Sequence, residues 1–242
     1  MVTDAVWKLP AIVNRYLSYR TAIPMVQEQI GVMMTILKSH QSPIENFLDL
    51  GCGDGILGAA ILGTYPASRG LLVDFSEPML GQAREQLKDF GKQLTFLNLD
   101  YGDPAWVNAV KPEAPFDAVV SGLSIHHQPD VRKRSIYQEI FSLLKPGGWF
   151  VNIEHIAPAS QLATDLFNDH VVNGYYEVER RSGGTRTRAE MADVYLKRPD
   201  KDANKLLSVD VQCGWLREIG FTDVDCYFHI YELAVFAGRH PA

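Results

Sequence analysis

The stretch Phe47-Leu48-Asp49-Leu50-Gly51-Cys52-Gly53-Asp54-Gly55 limits the folds open to this chain more than any other. A short apolar run broken by one acid reads as a strand buried on both faces, the kind a parallel sheet needs. The three glycines that follow form a tight turn whose backbone a ligand can approach, because glycine tolerates positive φ and has no Cβ. The same beat continues downstream. Residues 55–65 read as a helix, Leu71-Leu72-Val73 as a second strand, and 77–90 as an amphipathic helix with Pro78 near its start. Leu94–Leu99 is a third strand, 103–111 a short helix, and Phe116–Val120 a fourth strand. A helix over 131–144, ended by Lys145-Pro146-Gly147-Gly148, leads to a fifth strand at Trp149–Ile153. Strands alternating with helices of this length imply βαβ units and a parallel sheet with helices on both faces.

The flanks read differently. In an N-terminal helical cap over 1–40, Val26, Ile30, Val32, Met33 and Ile36 recur at spacings of three and four after Pro24. Ser42-Pro43 breaks that helix before the cofactor-binding core, expected over 44–156. Residues 157–206 hold Tyr175, Tyr176, several arginines and a Ser182-Gly183-Gly184 joint but no clear buried strand, so a lid insertion of helices and loops is expected there. Residues 207–242 close the chain with a helix over 208–219, a stop at Gly220, and a hairpin of Val224–Phe228 and Leu233–Phe236. With 242 residues, 46% of them hydrophobic, the chain suits one compact domain and excludes wholesale disorder.

Charges at Asp4, Lys8, Arg15 and Arg20 exclude a secretory leader, and no run of uninterrupted apolar residues is long enough to span a bilayer. Cys52, Cys213 and Cys226 are too few and scattered for a disulfide framework or a zinc site, which points to a reducing cytoplasm. With 23 Lys+Arg against 29 Asp+Glu, the net charge of -6 disfavours tracking of nucleic-acid phosphates.

Asp49 ends the first strand, where open α/β sheets bind ligands, and its carboxylate can accept hydrogen bonds from an ammonium group. Asp74 closes the second strand, 19 residues past Gly55. An acid there bonds ribose hydroxyls in nucleotide-binding folds, or else serves as a helix N-terminal acid in Asp74-Phe75-Ser76, with Ser76 as N-cap. Met79 lies either against an adenine face or in the core, and Asp100-Tyr101 offers a carboxylate to an adenine amino group. Gly53-Asp54-Gly55-Ile56-Leu57-Gly58 matches the dinucleotide fingerprint literally, so an NAD-linked oxidoreductase is one alternative. Against it, Gly51-Cys52 intervenes after the strand and no hydride-transfer site follows. A non-catalytic nucleotide-binding module is another. His126-His127 and Glu154-His155 follow the fourth strand and close the fifth; each histidine is a candidate base or a packing residue, and no helical i, i+4 pair supports a metal site.

In order and spacing, DLGCGDG, LLVDFSEPML, LNLDYGD, FDAVVSGLSIHH and LLKPGGWFV resemble the motif series of class I S-adenosylmethionine-dependent methyltransferases across residues 44–156. The resemblance implies an α/β, Rossmann-like, seven-stranded and mostly parallel sheet, with helices on both faces, a helical lid and an antiparallel last strand. It also implies S-adenosyl-L-methionine as cofactor: Asp49 at the methionine amino group, the Gly51–Gly55 turn beneath it, Asp74 on the ribose, Asp100 at the adenine amine, and Ser121 and Gly122 near the sulfonium. Arg20, Cys52, Gly53, Phe75, Met79 and Tyr101 complete the expected cofactor contacts. His126, His127 and His155 are the catalytic candidates, and Tyr175, Tyr176 and Arg186 the substrate-binding ones. The flanks, VNGYYEVE, SVDVQCGWLREIGF and RTAIPMVQEQI, are similar to the carboxy-S-adenosylmethionine synthases, which modify the cofactor and hold the added carboxylate with a lid arginine. Here Pro24-Met25-Val26 replaces their Pro-Gly-Tyr, and no lid arginine aligns uniquely. The expected function is methyl transfer to a small-molecule acceptor, with a synthase-like activity as alternative, no membrane or nucleic-acid partner, and a homodimer left open. Arg180, Arg181, Arg186 and Arg188, if gathered at the mouth, would suit an anionic acceptor.

Overall fold

The computed structural model of the chain describes residues 4–40 and 42–242; Met1–Thr3 of the expected cap, and Gln41, lie outside the described residues. In chain order the elements are α1 (Pro10–Tyr19), α2 (Val26–Lys38), β1 (Asn46–Leu50), α3 (Ile56–Thr64), β2 (Arg69–Asp74), α4 (Glu77–Gln86), β3 (Leu94–Asn98) and α5 (Trp106–Val110). Then come β4 (Phe116–Gly122), α6 (Asp130–Leu143), β5 (Leu144–His155), α7 (Gln161–Arg181), α8 (Arg188–Leu196), α9 (Val209–Ile219), β6 (Thr222–Ile230) and β7 (Leu233–Arg239). Seven strands form one sheet in the order β3-β2-β1-β4-β5-β7-β6. The first five are parallel, and β7 runs antiparallel to both β5 and β6. This is the Rossmann-like sheet expected from the motif series.

Side-chain alternation along β1 divides the core. Leu48 and Leu50 point to the layer of Ile136, Ile140, Leu216 and Phe150, whereas Phe47 faces Met33, Leu37, Ile61 and Leu72. All five β1 residues are buried, so neither face of the strand meets solvent, as a central parallel strand requires. Each such leucine or phenylalanine contributes about 1.5–3 kcal/mol by burial. A third cluster packs Phe167, Val171, Val172 and Tyr175 of α7 and Met191 and Tyr195 of α8 on Ala22 and Leu233. That cluster seats the 157–206 segment on the carboxyl side of the sheet.

Two local expectations need correction. Lys145–Gly148 is not a loop before the fifth strand. Phe116 pairs with Leu144 and Ala118 with Trp149, so these residues bulge inside β5. Gly147, at φ 80°, makes the bulge, and Lys145 Nζ reaches Asp117 Oδ1 at 2.7 Å. The helix expected over 77–90 ends at Gln86, where a 3₁₀ segment (Lys88–Gln93) with Gly91 at φ 51° takes over. Among the described residues, no helix is long and apolar enough to cross a membrane.

Candidate active site

β1 and β4 are neighbours, with Asp49 in register with Val120, yet the chain runs to β2 on one side and β5 on the other. Such a reversal opens a crevice outside the carboxyl ends of the strands. Two adjoining cavities occupy it. One, of about 1260 Å³, lies between the Arg20–Ile30 segment and the glycine turn; the other, of about 1090 Å³, runs from Asp74 to the underside of α7 and α8. Tyr16, Ile23, Gly51, Gly53, Gly122 and Leu123 line both, so the glycine turn and the end of β4 separate and connect them.

Both aspartates of the first two motifs are at this divide. Asp49 is fully buried and lines the first cavity; its Oδ2 accepts from Gly58 N at 3.0 Å, while Oδ1 has no partner among the described residues. Burial pushes its carboxyl up to about 7, with the nearby Asp74 adding to the shift and the Gly58 bond opposing it. Asp74 takes the helix N-terminal role of the two that its sequence left open, and it also holds the glycine turn. Its Oδ2 accepts from Gly53 N at 2.9 Å, bracing the glycine turn, and its Oδ1 accepts from Ser76 N at 2.8 Å. Burial raises this carboxyl to about 6 against those bonds. Gly51 has φ 69°, and a Cβ on it would run into the Ser124 side chain. Gly53, at φ 55°, lines both cavities, and a Cβ there would meet no protein atom. Leu123 also adopts a left-handed φ, 49°, while its N–H stays bonded to the Ile153 carbonyl at 2.8 Å; local strain of this kind collects at functional sites.

Several expected contact residues line these cavities. Arg20 pairs with Asp54 in the first, beside Cys52, whose thiol burial and the two aspartates hold well above its ordinary value. Phe75 and Met79 line the second, with the Lys8 ammonium 5.4 Å from the Phe75 ring centre. Gly55 lies beneath, as the left-handed N-cap of α3. Ser121 is bonded to the Leu50 carbonyl at 2.7 Å and lines neither cavity. Asp100 is exposed, caps its own turn through Gly102 N at 2.8 Å and also lines neither. Tyr101 is buried behind the wall with its hydroxyl on Ser124 Oγ at 2.5 Å.

All three candidate histidines line the second cavity. His126 Nδ1 is 2.6 Å from Glu154 Oε1, and Glu154 also accepts from His126 N, Asn152 Nδ2 and His155 N. Burial pushes the Glu154 carboxyl up to about 7 and the His126 imidazole well below its ordinary value. His155 Nε2 pairs with Glu232 Oε2 at 2.9 Å. His127 is tied down by the segment after α8: Ala203 O lies 3.4 Å from its ring, and Lys205 Nζ donates to its carbonyl at 2.6 Å.

The lid arginines are not gathered at the mouth. Arg186 is held by Glu179 and the Tyr19 hydroxyl, Arg188 by Asp169 and Asn173, and Arg180 lies near Glu177. Arg186 and Tyr176 line neither cavity, whereas Tyr175 lines the second. Of the arginines of 180–198 expected to roof an acceptor pocket, Arg198 lines the second cavity, and sequence reasoning missed Trp7, Arg15, Tyr16, Asp200 and Asn204 on its wall. Lys197-Arg198-Pro199-Asp200 has the look of a solvated turn, and only the fold turns it inward.

The match to known proteins agrees with this geometry. A family model described as a methyltransferase domain matches residues 47–148. The carboxy-S-adenosyl-L-methionine synthase of Chromohalobacter salexigens is 25% identical over 224 residues, covering 89% of this chain and 76% of the synthase. The ubiquinone biosynthesis O-methyltransferase of Thiobacillus denitrificans is 36% identical over 102 residues, covering 42% of this chain and 40% of that protein. An O-methyltransferase family structure from Burkholderia thailandensis superposes with TM-score 0.60 at 15% identity, over 88% of this chain and 57% of that one, and shows likeness of fold. The cavity suits the cofactor of these enzymes, because a buried carboxylate oxygen without a partner among the described residues awaits a cationic donor beside a turn open at Gly53. Over residues 47–148 the chain thus carries the match to a methyltransferase domain, and over most of its length it is similar to a carboxy-S-adenosyl-L-methionine synthase, on a fold like that of an O-methyltransferase family structure.

Proposed function

We propose that the chain transfers a methyl group to a small-molecule acceptor held in the cavity between the histidines and α7–α8. Asp49 carries the reading: its buried Oδ1, without a partner among the described residues, lines the first cavity and fits the ammonium of a methionine moiety. The cofactor, when bound, supplies a methyl group on a sulfonium, an electrophile that needs no activation by the protein. The chain's own task is to bind, align and exclude water. Asp74 offers its remaining lone pairs to ribose hydroxyls while bracing Gly53, and Phe75 and Met79 give an apolar wall for the base. Gly122 and Leu123, shared by both cavities, mark where methyl donor and acceptor would meet. Collinear alignment across that divide supplies most of the rate. An acceptor that carries a proton also needs a base. His126 lines the cavity for that role, with Glu154 fixing the ring through Nδ1, and Asn204, bonded to the same ring, would have to give way for the other nitrogen to take the proton.

The segment over 157–206 would act as the lid, with Tyr175 in its inner face and α7 covering the acceptor. The acidic net charge of -6 and the recessed position of the cavity under α7 and α8 support a small acceptor over a nucleic acid, and three free cysteines fit a cytoplasmic protein. A synthase-like, cofactor-modifying activity is the second reading, carried by the 25% identity across 89% of the chain. A screen with methyl-labelled cofactor against phenols, amines, thiols and carboxylates tests the proposal. Label transfer to one class supports it. Cofactor bound without transfer to any class would reduce the chain to a binding module, and a carboxylated nucleoside retained on purification would favour the synthase reading.

A further inference from the structure

The wall of the second cavity opposite the glycine turn holds an ion cluster that neither the motifs nor the relatives assign. Arg15 comes from α1 and Arg198 from the turn after α8. Both reach Asp200, Arg15 at Oδ1 and Arg198 Nε at Oδ2, the latter at 3.3 Å. Asp200 is buried, and all three residues line the cavity. Arg198 is fixed further by stacking 4.3 Å from the Tyr195 ring centre and by donating to the Tyr195 carbonyl at 2.9 Å. Behind it Glu232, buried and bonded to His155, has its carboxyl held below the ordinary range by His155, with Arg198 contributing through space. On this wall two guanidinium groups therefore converge on one carboxylate, that of Asp200.

Two converging guanidinium groups in a cavity are a recognition element for a carboxylate or phosphate. Here the chain supplies that carboxylate itself, with one oxygen for each arginine. An anionic acceptor would have to displace an internal anion already held at high effective concentration, or lie beside it and be repelled. Beside the cluster the chamber presents aromatic and aliphatic side chains, Phe167, Val171, Tyr175 and Tyr195, with the three histidines on the sheet side. Such walls favour a ring that can stack or meet them edge on.

We propose that Asp200 is a specificity-determining residue that fills the Arg15–Arg198 cradle and restricts the chamber to uncharged, ring-bearing acceptors. This rests on the reading of the second cavity as the acceptor site, and it replaces the anionic acceptor that the lid arginines suggested.

Benzoate and benzyl alcohol, a matched anionic and neutral pair, are the probes, titrated into wild type, Asp200→Asn, Asp200→Ala and the double variant Asp200→Ala/Arg198→Ala. Wild type should bind benzyl alcohol more tightly than benzoate. Removing the carboxylate should raise benzoate affinity by about 10–100-fold, the scale of one hydrogen bond to a charged group. The gain should vanish in the double variant and be absent for benzyl alcohol. Asp200→Asn is isosteric, so it carries the test if the alanine variant does not fold. Wild type binding benzoate as well as Asp200→Asn does, or a folded Asp200→Asn without any gain, would overturn the proposal. Both probes are read without cofactor. A parallel titration with S-adenosylhomocysteine that fails in wild type would instead strike the methyltransferase reading.

Discussion

Asp49 and Asp74 show what one residue can be asked to do. Both carboxyls titrate higher in the fold than the ordinary value of 3.8, at about 7 and about 6, because burial disfavours the anion. For the free protein the sign is fixed. The stability due to their protonation is fully present below about pH 4 and is lost as pH rises through about 6 for Asp74 and about 7 for Asp49. A cationic ligand reverses the preference, since it needs the anion. Asp49→Asn should therefore raise the melting temperature of the free protein at pH 8 while weakening S-adenosylhomocysteine binding. The wild-type advantage over Asp49→Asn in affinity should shrink by up to about tenfold per unit as pH falls below 7, one pKa unit being about 1.4 kcal/mol. A pH-independent ratio would show that Asp49 does not meet a cation. For His126, replacement by Gln should slow methyl transfer to a proton-bearing acceptor by about 10²–10⁴-fold with cofactor affinity unchanged. A lower melting temperature with a rate within a few fold would assign the pair to packing, a role its bonds to Ala203 and Lys205 also fit. The two aspartates were legible because strand ends and spacing announce them. Glu154 was noticed only as the neighbour of His155, and its partnership with His126, 28 residues away, has no local signal.

At the scale of elements, α7 depends on a contact that composition hides. Gly174 lies against the 3₁₀ turn Arg20–Ala22, and a Cβ there would come within 2.9 Å of the Ala22 Cα and carbonyl oxygen. On an open helix face Gly→Ala stabilises by about 1 kcal/mol. Here Gly174→Ala should instead destabilise by about 1–3 kcal/mol, since neither backbone can yield without moving α7. Thermal unfolding checks it, and a raised melting temperature would deny the close approach. The joint after α7 was legible: Ser182, Gly183 and Gly184 are exposed, and Gly183 adopts φ 77°. If the lid opens in solution, protease should cut there in the free protein, and S-adenosylhomocysteine with an acceptor should slow the cut. Equal rates would make the segment a fixed surface. What periodicity did not reveal is the single helix of 21 residues over Gln161–Arg181, because its buried positions include Tyr175 and Glu179 and its polar face is interrupted. The bulge in β5 was equally hidden, since Pro-Gly-Gly reads as a loop unless the pairing partner is known.

For the whole molecule, alternating strands and helices together with the glycine turn made the sheet readable from one chain, and the closing hairpin supplied β7 between β5 and β6. The residues proposed to hold the cofactor were named from sequence, since they lie at consecutive strand ends. The wall of the second cavity was not, because α1, the β4 and β5 ends, α7 and the turn at Arg198–Asp200 meet there only after folding. The central claim is that the crevice between β1 and β4 binds S-adenosyl-L-methionine. Calorimetric titration of the purified chain with S-adenosylhomocysteine and, separately, with NAD tests it most directly. The account predicts one site per chain for S-adenosylhomocysteine, weakened by roughly 1.5–3 kcal/mol in Asp74→Ala as the ribose hydroxyls lose a charged acceptor. Tighter binding of NAD, or an affinity for S-adenosylhomocysteine that Asp74→Ala leaves unchanged, would contradict it.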